Sequence, residues 1–265
     1  MNLQYFFHRQ TGTLTYLVSR GSEAVLIDTV LDFQDGKIGF EPANEIIDVI
    51  RAKGLSLKYI LETHIHADHL SAASYIRKQL GGKIAVGNKI EQVYKEWIDK
   101  LDSIPMADFD VKLDHHSVLD FAGTSIEIID TPGHTPDSIT YKIDDFLFVG
   151  DTLFSPARGT SRVDFPGGSA SDLYQSIEKI YEFPDAYHIQ LCHDYPDENE
   201  PPICDVTVGD EKATNIMLNK QSTERVYVEN RLKRDAQLSL PKLIEVAVPF
   251  NLTHQLPAGI IINNG

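Results

Sequence analysis

Apolar residues along the chain follow the two periods that distinguish strands from helices. Leu14, Tyr16 and Val18 alternate with Thr and Ser, which predicts a half-buried strand. Short continuous apolar runs, typical of fully buried strands, lie at 24–28, 59–61, 126–130, 138–141, 146–150 and 188–192. Helical spacing predicts helices around 46–50, 73–80, 90–97, 173–181, 209–218 and 222–235, before a tail rich in Pro and Asn. Strands with interposed helices indicate an α/β fold of two sheets covered by helices.

Composition and charge exclude several classes of protein. The 265 residues are 42% hydrophobic and carry 24 Lys and Arg against 39 Asp and Glu, a formal net charge of −15. Nucleic acids and anionic membranes require a basic face, so we expect neither as a main partner. No apolar run reaches about 18 residues, and the N-terminus lacks the features of an export signal. The two cysteines form no disulfide framework, which predicts a cytoplasmic protein.

Histidine and aspartate side chains follow four of the predicted strands. A His-x-His-x-Asp-His segment comes after the strand at 59–61, and further ligand-type residues follow the strands at 126–130, 146–150 and 188–192. The seven candidates are His64, His66, Asp68, His69, His134, Asp151 and His193. Strand ends can converge on one cleft, and imidazole with carboxylate is the ligand set expected for Zn, Fe or Mn. The pattern therefore predicts a metal site.

This constellation resembles the metallo-β-lactamase superfamily. The resemblance covers nearly the whole chain and implies one domain over residues 1–265, an αβ/βα sandwich of two mixed sheets flanked by helices. It also implies the ligand positions, which are His64, His66 and His134 for one metal, Asp68, His69 and His193 for a second, and Asp151 able to bridge them. The superfamily includes lactamases, thioesterases, nucleases and oxygenases, so this level of resemblance leaves the reaction open.

Further segments resemble the persulfide dioxygenase branch of that superfamily, namely 11–18, 61–73, 150–154, 159–168, 192–195, 240–242 and 247–251. The resemblance implies oxidation of glutathione persulfide with O2 to sulfite and glutathione, with one Fe(II) per chain on His64, His134 and Asp151. The remaining candidates, His66, Asp68, His69 and His193, would then support the iron site without binding it. Two histidines and one carboxylate leave open positions on an octahedral iron, and iron has the redox chemistry that zinc lacks.

Four other residues are candidates for catalysis or substrate binding. The guanidinium of Arg162 could grip a carboxylate of anionic glutathione in a bidentate manner, with a salt bridge to Asp164 as the alternative. Asp194 and Tyr195, next to His193, are predicted as catalytic residues, and the Tyr195 hydroxyl is expected to donate to substrate. Asn251 matches a position that contacts glutathione in relatives, although Asn in a terminal loop is often a turn former.

The main alternative is a dinuclear-zinc thioesterase of the glyoxalase II type, which hydrolyses S-acylglutathione with metal-activated water. That enzyme shares His-x-His-x-Asp-His, so two zinc ions are the alternative to one iron. The segment 162–168 differs from the Arg-x-Phe-Glu-Gly expected there, which favours the dioxygenase. A non-enzymatic sensor or binding module with this fold would be expected to lack some of the seven ligand residues, and all seven are present. The possible partners are a second copy of the chain, which would form a homodimer, and a sulfurtransferase on a separate chain.

Overall fold

Two six-stranded sheets lie face to face, with helices packed against them. This computed structural model describes residues 1–101, 103–255 and 261–262. The strands are β1 (Asn2–His8), β2 (Thr13–Arg20), β3 (Glu23–Ile27), β4 (Val30–Gln34), β5 (Lys37–Gly39), β6 (Ser56–Leu61), β7 (Leu70–Ser71), β8 (Lys83–Gly87), β9 (Val111–Leu113), β10 (Val118–Phe121), β11 (Thr124–Asp130), β12 (Ile139–Ile143), β13 (Phe146–Phe148), β14 (His188–Gln190), β15 (Asp205–Thr207) and β16 (Ile261–Ile262). The helices are α1 (Glu41–Ala52), α2 (Ala73–Leu80), α3 (Ile90–Trp97), α4 (Ala170–Tyr181), α5 (Val208–Thr214), α6 (Glu224–Asp235) and α7 (Ile244–Thr253), with 3₁₀ turns at Ile98–Lys100 and Gly150–Thr152. Within the described ranges, no helix has the length and apolarity needed to cross a membrane.

Both sheets are mixed, which confirms the predicted sandwich. The first has the order β1-β2-β3-β6-β8-β9 and changes from antiparallel to parallel pairing at β3. The second has the order β10-β11-β12-β13-β14-β15 and is antiparallel except for the β13–β14 pair. A smaller four-stranded sheet, β16-β5-β4-β7, lies beside them. Each half of the chain therefore builds one main sheet.

Burial of apolar side chains holds these layers together in two clusters. Leu14, Tyr16 and Val18 of β2 share the first cluster with Ile128 and Tyr141 of the second sheet. The second cluster joins the other face of the first sheet to α1, α2, α3 and α7. Each fully buried aliphatic side chain contributes about 1.5–3 kcal/mol to folding, so the two clusters fix the positions of the strand ends.

Strand β2 is buried on both faces, and the prediction of a half-buried strand was wrong. Leu17 packs on the helix side, and the interleaved Thr13 and Thr15 are also buried. The hydroxyl of Thr15 donates to the carbonyl of Asp28 at 2.6 Å, which satisfies a polar group away from water. The alternation along this strand therefore reflects internal hydrogen bonding rather than contact with solvent.

The Pro- and Asn-rich tail contains helix α7, which the apolar pattern did not predict. Pro249 lies inside this helix, where it cannot donate a backbone hydrogen bond. Ala247, Val248, Phe250 and Leu252 are nevertheless buried in the helix-side cluster. Tertiary packing thus stabilises a helix that local sequence disfavours.

Four strand ends from the two sheets lead into one edge of the sandwich. Segment 62–69 follows β6, 131–134 follows β11, the 3₁₀ turn follows β13, and 191–194 follows β14. Gly150 has φ of 53°, and a Cβ there would lie 2.4 Å from the Thr63 Oγ1. Only glycine allows this approach, so the Gly-Asp pair brings the two sheets together at the candidate site.

Candidate metal centre

Three ligand-type side chains from different strand ends converge at this edge. The Nε2 atom of His134 lies 3.6 Å from Asp151 Oδ2, and the Nε2 atom of His64 lies 4.0 Å from the same oxygen. One ligand atom of each residue lies within 4.8 Å of the other two, and both imidazoles are buried. With metal–ligand bonds of about 2.0–2.2 Å, ligand atoms on one ion lie roughly 3–4 Å apart. The three residues therefore have the spacing of ligands around a single cation.

Hydrogen bonds on the far side of each imidazole fix its tautomer. His134 Nδ1 donates to the carbonyl of Arg162 at 2.8 Å, which leaves the lone pair on Nε2. The Thr63 hydroxyl donates to Asp28 and accepts from His64 Nδ1 at 3.0 Å, with the same result for His64. Two lone pairs then face a carboxylate oxygen with no proton between them. A cation between the three atoms satisfies that arrangement, so the residues present fit a bound metal.

His66 turns its Nε2 away from this triad toward two buried carboxylates. That atom lies 3.1 Å from Asp28 Oδ1 and 3.2 Å from Glu62 Oε2. Burial lowers the pKa of His66, but the two carboxylates outweigh it and raise the pKa well above the ordinary value. Burial raises the pKa of Glu62, whose other oxygen accepts from Ser71 at 2.7 Å. The Nδ1 of His66 has no hydrogen-bond partner in the described structure, and an ion that bound there would displace its proton.

A second group of candidates lies beside the triad. Asp68 Oδ2 lies 3.2 Å from His69 Nδ1 and 3.5 Å from His193 Nε2, and His193 Nε2 lies 3.3 Å from Asp151 Oδ1. Burial lowers the pKa of His69 to about 4, which keeps its ring neutral at pH 7. The Nε2 atoms of His69 and His193 lack hydrogen-bond partners within the described residues. This geometry accommodates either a second metal or support for the first.

The segment that carries four of these ligand candidates is fixed by side chains from distant parts of the chain. Asn251 of α7 donates to the carbonyls of His66 and His69, at 2.9 Å each, and accepts from the Ser71 N–H at 2.8 Å. Asp137 accepts from the Ile65 N–H at 2.9 Å. Asn251 is buried and is absent from the cleft wall, so the structure does not bring it to the place expected of a substrate contact.

The triad opens into a cleft of about 480 Å³. Its wall is formed by Ala67, Asp68, His134, Asp151, Phe154, Ala157, Arg158, Thr160, Ser161, Arg162, Phe165, His193, Tyr195, Arg231, Arg234, Leu238 and Pro241. A volume of this size suits a small organic ligand. The wall combines metal-ligand candidates with apolar side chains and four guanidinium groups, a surface suited to an anionic molecule with an apolar part.

Two of the predicted substrate and catalytic residues lie on this wall. Arg162 donates from Nε and Nη2 to Asp164 at 2.6 Å each, so the ion pair considered from the sequence is present. The Tyr195 ring is half exposed and stacks parallel to His193, with centroids 6.1 Å apart. Both residues therefore face the volume that a substrate would fill.

Asp194, the other predicted catalytic residue, lies behind the wall rather than on it. It is buried, and its two carboxylate oxygens accept from Arg158 Nε at 3.2 Å and from the Ile203 N–H at 2.7 Å. The structure thus gives it a role in holding the loop after β14, because neither oxygen faces the cleft.

Several residues of the site did not stand out in the sequence. Glu62 lies just before the ligand motif, and its Oε2 lies 3.2 Å from His66 Nε2. Arg231 and Arg234 lie on one face of α6, and their spacing of three residues is the signal that could have revealed them. Nothing local indicated that this helix would reach a site about eighty residues earlier in the chain.

Comparison with known proteins identifies the relatives of this fold and site. Residues 8–192 match the metallo-β-lactamase superfamily. The chain is 37% identical over 271 residues to a probable metallo-hydrolase of Burkholderia pseudomallei, covering 95% of this chain and 92% of that protein. It is 32% identical over 256 residues to the mitochondrial persulfide dioxygenase ETHE1 of Bos taurus, covering 94% and 87% of the two chains. The crystal structure of ETHE1 from Myxococcus xanthus superposes with a TM-score of 0.76 at 27% identity, covering 95% and 98%. The chain therefore belongs to the metallo-β-lactamase superfamily and is similar to its persulfide dioxygenase branch.

Proposed function

We propose that the protein is an iron-dependent dioxygenase that oxidises glutathione persulfide to sulfite and glutathione. The observation that carries the proposal is the triad of His64, His134 and Asp151, whose lone pairs face one another at a cleft. Relatives named as persulfide dioxygenases align over nearly the whole chain, which supports the choice of reaction.

The chemistry of this ligand set fits Fe(II). Two imidazoles and one carboxylate form the facial set typical of non-haem iron, with the remaining positions open. Iron bound there would supply electrons for activating O2 and an open position for the persulfide sulfur. His64, His134 and Asp151 would hold it, while Thr63 and the Arg162 carbonyl orient the two imidazole rings.

The reaction consumes one persulfide, one O2 and one water. The outer sulfur gains three oxygen atoms and is oxidised, O2 is reduced, and the sulfur–sulfur bond breaks. The thiolate of the released glutathione takes up a proton at its sulfur. Phe154 and Phe165 lie on the wall and would exclude water from part of the cleft, and the hydroxyl of Tyr195, also on the wall, would donate to the substrate.

A dinuclear-zinc thioesterase is the second candidate, and one observation favours it. Asp68, His69 and His193 also converge, and the Nε2 atoms of both histidines have no hydrogen-bond partner within the described residues. A second ion there would complete the ligand set that hydrolytic relatives require. A homodimer and a separate sulfurtransferase stay predictions.

Oxygen uptake and thioester hydrolysis separate the two proposals. Protein purified under reducing, anaerobic conditions is supplied with glutathione persulfide, and O2 consumption and sulfite are measured together. The same preparation is tested with S-lactoylglutathione. We expect sulfite formation that matches O2 uptake and little thioester hydrolysis. Faster turnover of the thioester would instead support the thioesterase.

A further inference from the structure

Arginine side chains line the wall of the cleft, in a chain whose formal charge is −15. The four guanidinium groups on the wall belong to Arg158, Arg162, Arg231 and Arg234. Negative charges on the rest of the surface repel an anion, so its binding must depend on a local group of this kind. The contacts of each arginine indicate which charge is available to a ligand.

Three of the four arginines are already compensated by aspartates. The ion pairs are Arg158–Asp194, Arg162–Asp164 and Arg231–Asp235. An arginine that shares its charge with a carboxylate attracts an additional anion less strongly, because the partner carboxylate repels that anion. These three residues therefore shape the wall more than they attract a ligand.

Arg234 has a different environment. It is exposed at the cleft, and its Nη1 donates to the Sδ of Met217 at 3.6 Å. A thioether is a weak, uncharged acceptor, so it holds the guanidinium in position without neutralising its charge. Within residues 1–101 and 103–255, no carboxylate oxygen lies within 4.0 Å of this side chain. Arg234 thus keeps its full charge at the mouth of the cleft.

We propose that Arg234 binds a carboxylate of the substrate and thereby selects persulfides that carry a carboxylate distant from the sulfur. The identification of the ligand as a persulfide rests on the proposed function. His134 and Asp151 of the triad line the same cleft as Arg234, so one molecule can present sulfur to the metal and a carboxylate to the guanidinium. A planar guanidinium forms charge-assisted hydrogen bonds with a carboxylate, which suits this recognition.

Binding of glutathione itself tests the site without turnover. Calorimetric titration of the metal-loaded protein with glutathione should show affinity reduced roughly 10- to 100-fold in Arg234→Ala, the loss of one charged hydrogen bond. Arg234→Lys keeps the charge and should recover part of the affinity. Arg225→Ala is the matched control, because Arg225 lies nine residues earlier on α6, on the opposite face of the helix, and pairs with Glu229.

Kinetics with two persulfides then test selectivity. For glutathione persulfide, Arg234→Ala should raise KM with kcat little changed, since the residue contacts the substrate away from the reacting sulfur. For hydroxyethyl persulfide, which has no carboxylate, wild type and Arg234→Ala should be equal. Equal losses on both substrates would overturn the proposal, because they would indicate general damage to the cleft.

The outcomes separate this proposal from the proposed function. Arg234-dependent glutathione binding without O2 uptake in wild type would support the carboxylate site and reject the dioxygenase. Wild-type turnover with unchanged glutathione affinity in Arg234→Ala would support the dioxygenase and reject the site. Failure of wild type to bind glutathione would also overturn the proposal for Arg234.

Discussion

The side chain of Asn251 connects the last described helix to the segment that carries the ligand candidates. Its amide makes three hydrogen bonds to backbone groups between His66 and Ser71. An amide is the side chain that can donate to two carbonyls and accept from one N–H at the same time. We therefore expect Asn251 to act on the metal site through the backbone, without touching a substrate.

Replacing Asn251 with Ala should destabilise the metal-free protein by about 2–3 kcal/mol, because two carbonyls and one N–H lose their partner in a buried place. Metal affinity should fall as well, since the ligand segment is less ordered. Urea unfolding of the metal-free variant and a metal-binding titration measure the two effects. Asn44→Ala serves as the control, because Asn44 is exposed and accepts a single hydrogen bond from Tyr75. If Asn251→Ala left both quantities unchanged and raised KM alone, Asn251 would be a substrate contact after all.

At the scale of elements, helix α6 carries two ion pairs of equal spacing in opposite environments. Arg231 and Asp235 are almost fully buried, with side chains 2% and 3% exposed, whereas Arg225 and Glu229 are 82% and 65% exposed. The buried pair also binds the backbone that carries Arg162, since Arg231 donates to the Thr160 carbonyl at 2.9 Å. It therefore links the helix to the wall of the cleft.

Asp235→Ala should destabilise the protein by about 3–5 kcal/mol, because the charge of Arg231 would remain buried without its partner. Glu229→Ala, the matched change in the exposed pair, should cost less than about 1 kcal/mol. Chemical denaturation of both variants measures the difference. A double variant, Arg231→Met with Asp235→Leu, should recover much of the lost stability, since it removes both buried charges. Equal effects of the two single changes would show that burial of the pair is unimportant.

Helix α5 contains a buried acid, Glu211, under the loop that carries Arg158. Asn215 donates to Glu211 Oε2 at 2.6 Å and to the Gly159 carbonyl at 3.2 Å. Burial raises the pKa of Glu211 from its ordinary value of 4.5 to about 8. The folded state therefore keeps a proton on Glu211 that the unfolded state releases at lower pH.

The free energy of unfolding should consequently fall as pH rises from about 4.5 to about 8, with a slope from this group of at most about 1.4 kcal/mol per pH unit. Glu211→Gln is neutral in both states and should lack this contribution, so its stability relative to wild type should increase with pH. Urea unfolding across the range tests this, with the exposed Glu178→Gln as the control. Parallel curves for wild type and Glu211→Gln would contradict the prediction.

The sequence predicted the elements whose own apolar pattern is enough to indicate a strand or a helix. It missed the elements that form only because they contact distant parts of the chain. Runs such as 24–28 became buried strands because both of their faces are covered. The short strands β4, β5 and β7 and helix α7 carry little local signal, and packing against other elements stabilises them. The ligand candidates were visible because each follows a strand. The tautomers of His64 and His134 could not be predicted, since they depend on Asp28 and Arg162 from other segments.

At the scale of the whole molecule, the metal site takes its ligand candidates from both sheets. His64 comes from the first sheet, while His134 and Asp151 come from the second. A bound ion therefore joins the two halves of the sandwich. Binding to the folded state alone adds about 2.7 kcal/mol of stability when free metal exceeds its Kd a hundredfold. Removal of the metal should consequently lower the melting temperature of the entire protein.

The metal content decides between the two proposed activities. We expect one iron per chain after anaerobic purification, because the triad alone completes a facial set of two imidazoles and one carboxylate. His64→Ala should lose that iron, whereas His69→Ala should retain it, since His69 lies in the neighbouring group with Asp68. Elemental analysis of the three proteins, with unfolding curves before and after chelation, measures both content and stabilisation. Two zinc ions per wild-type chain, reduced to one in His69→Ala, would instead establish a dinuclear centre.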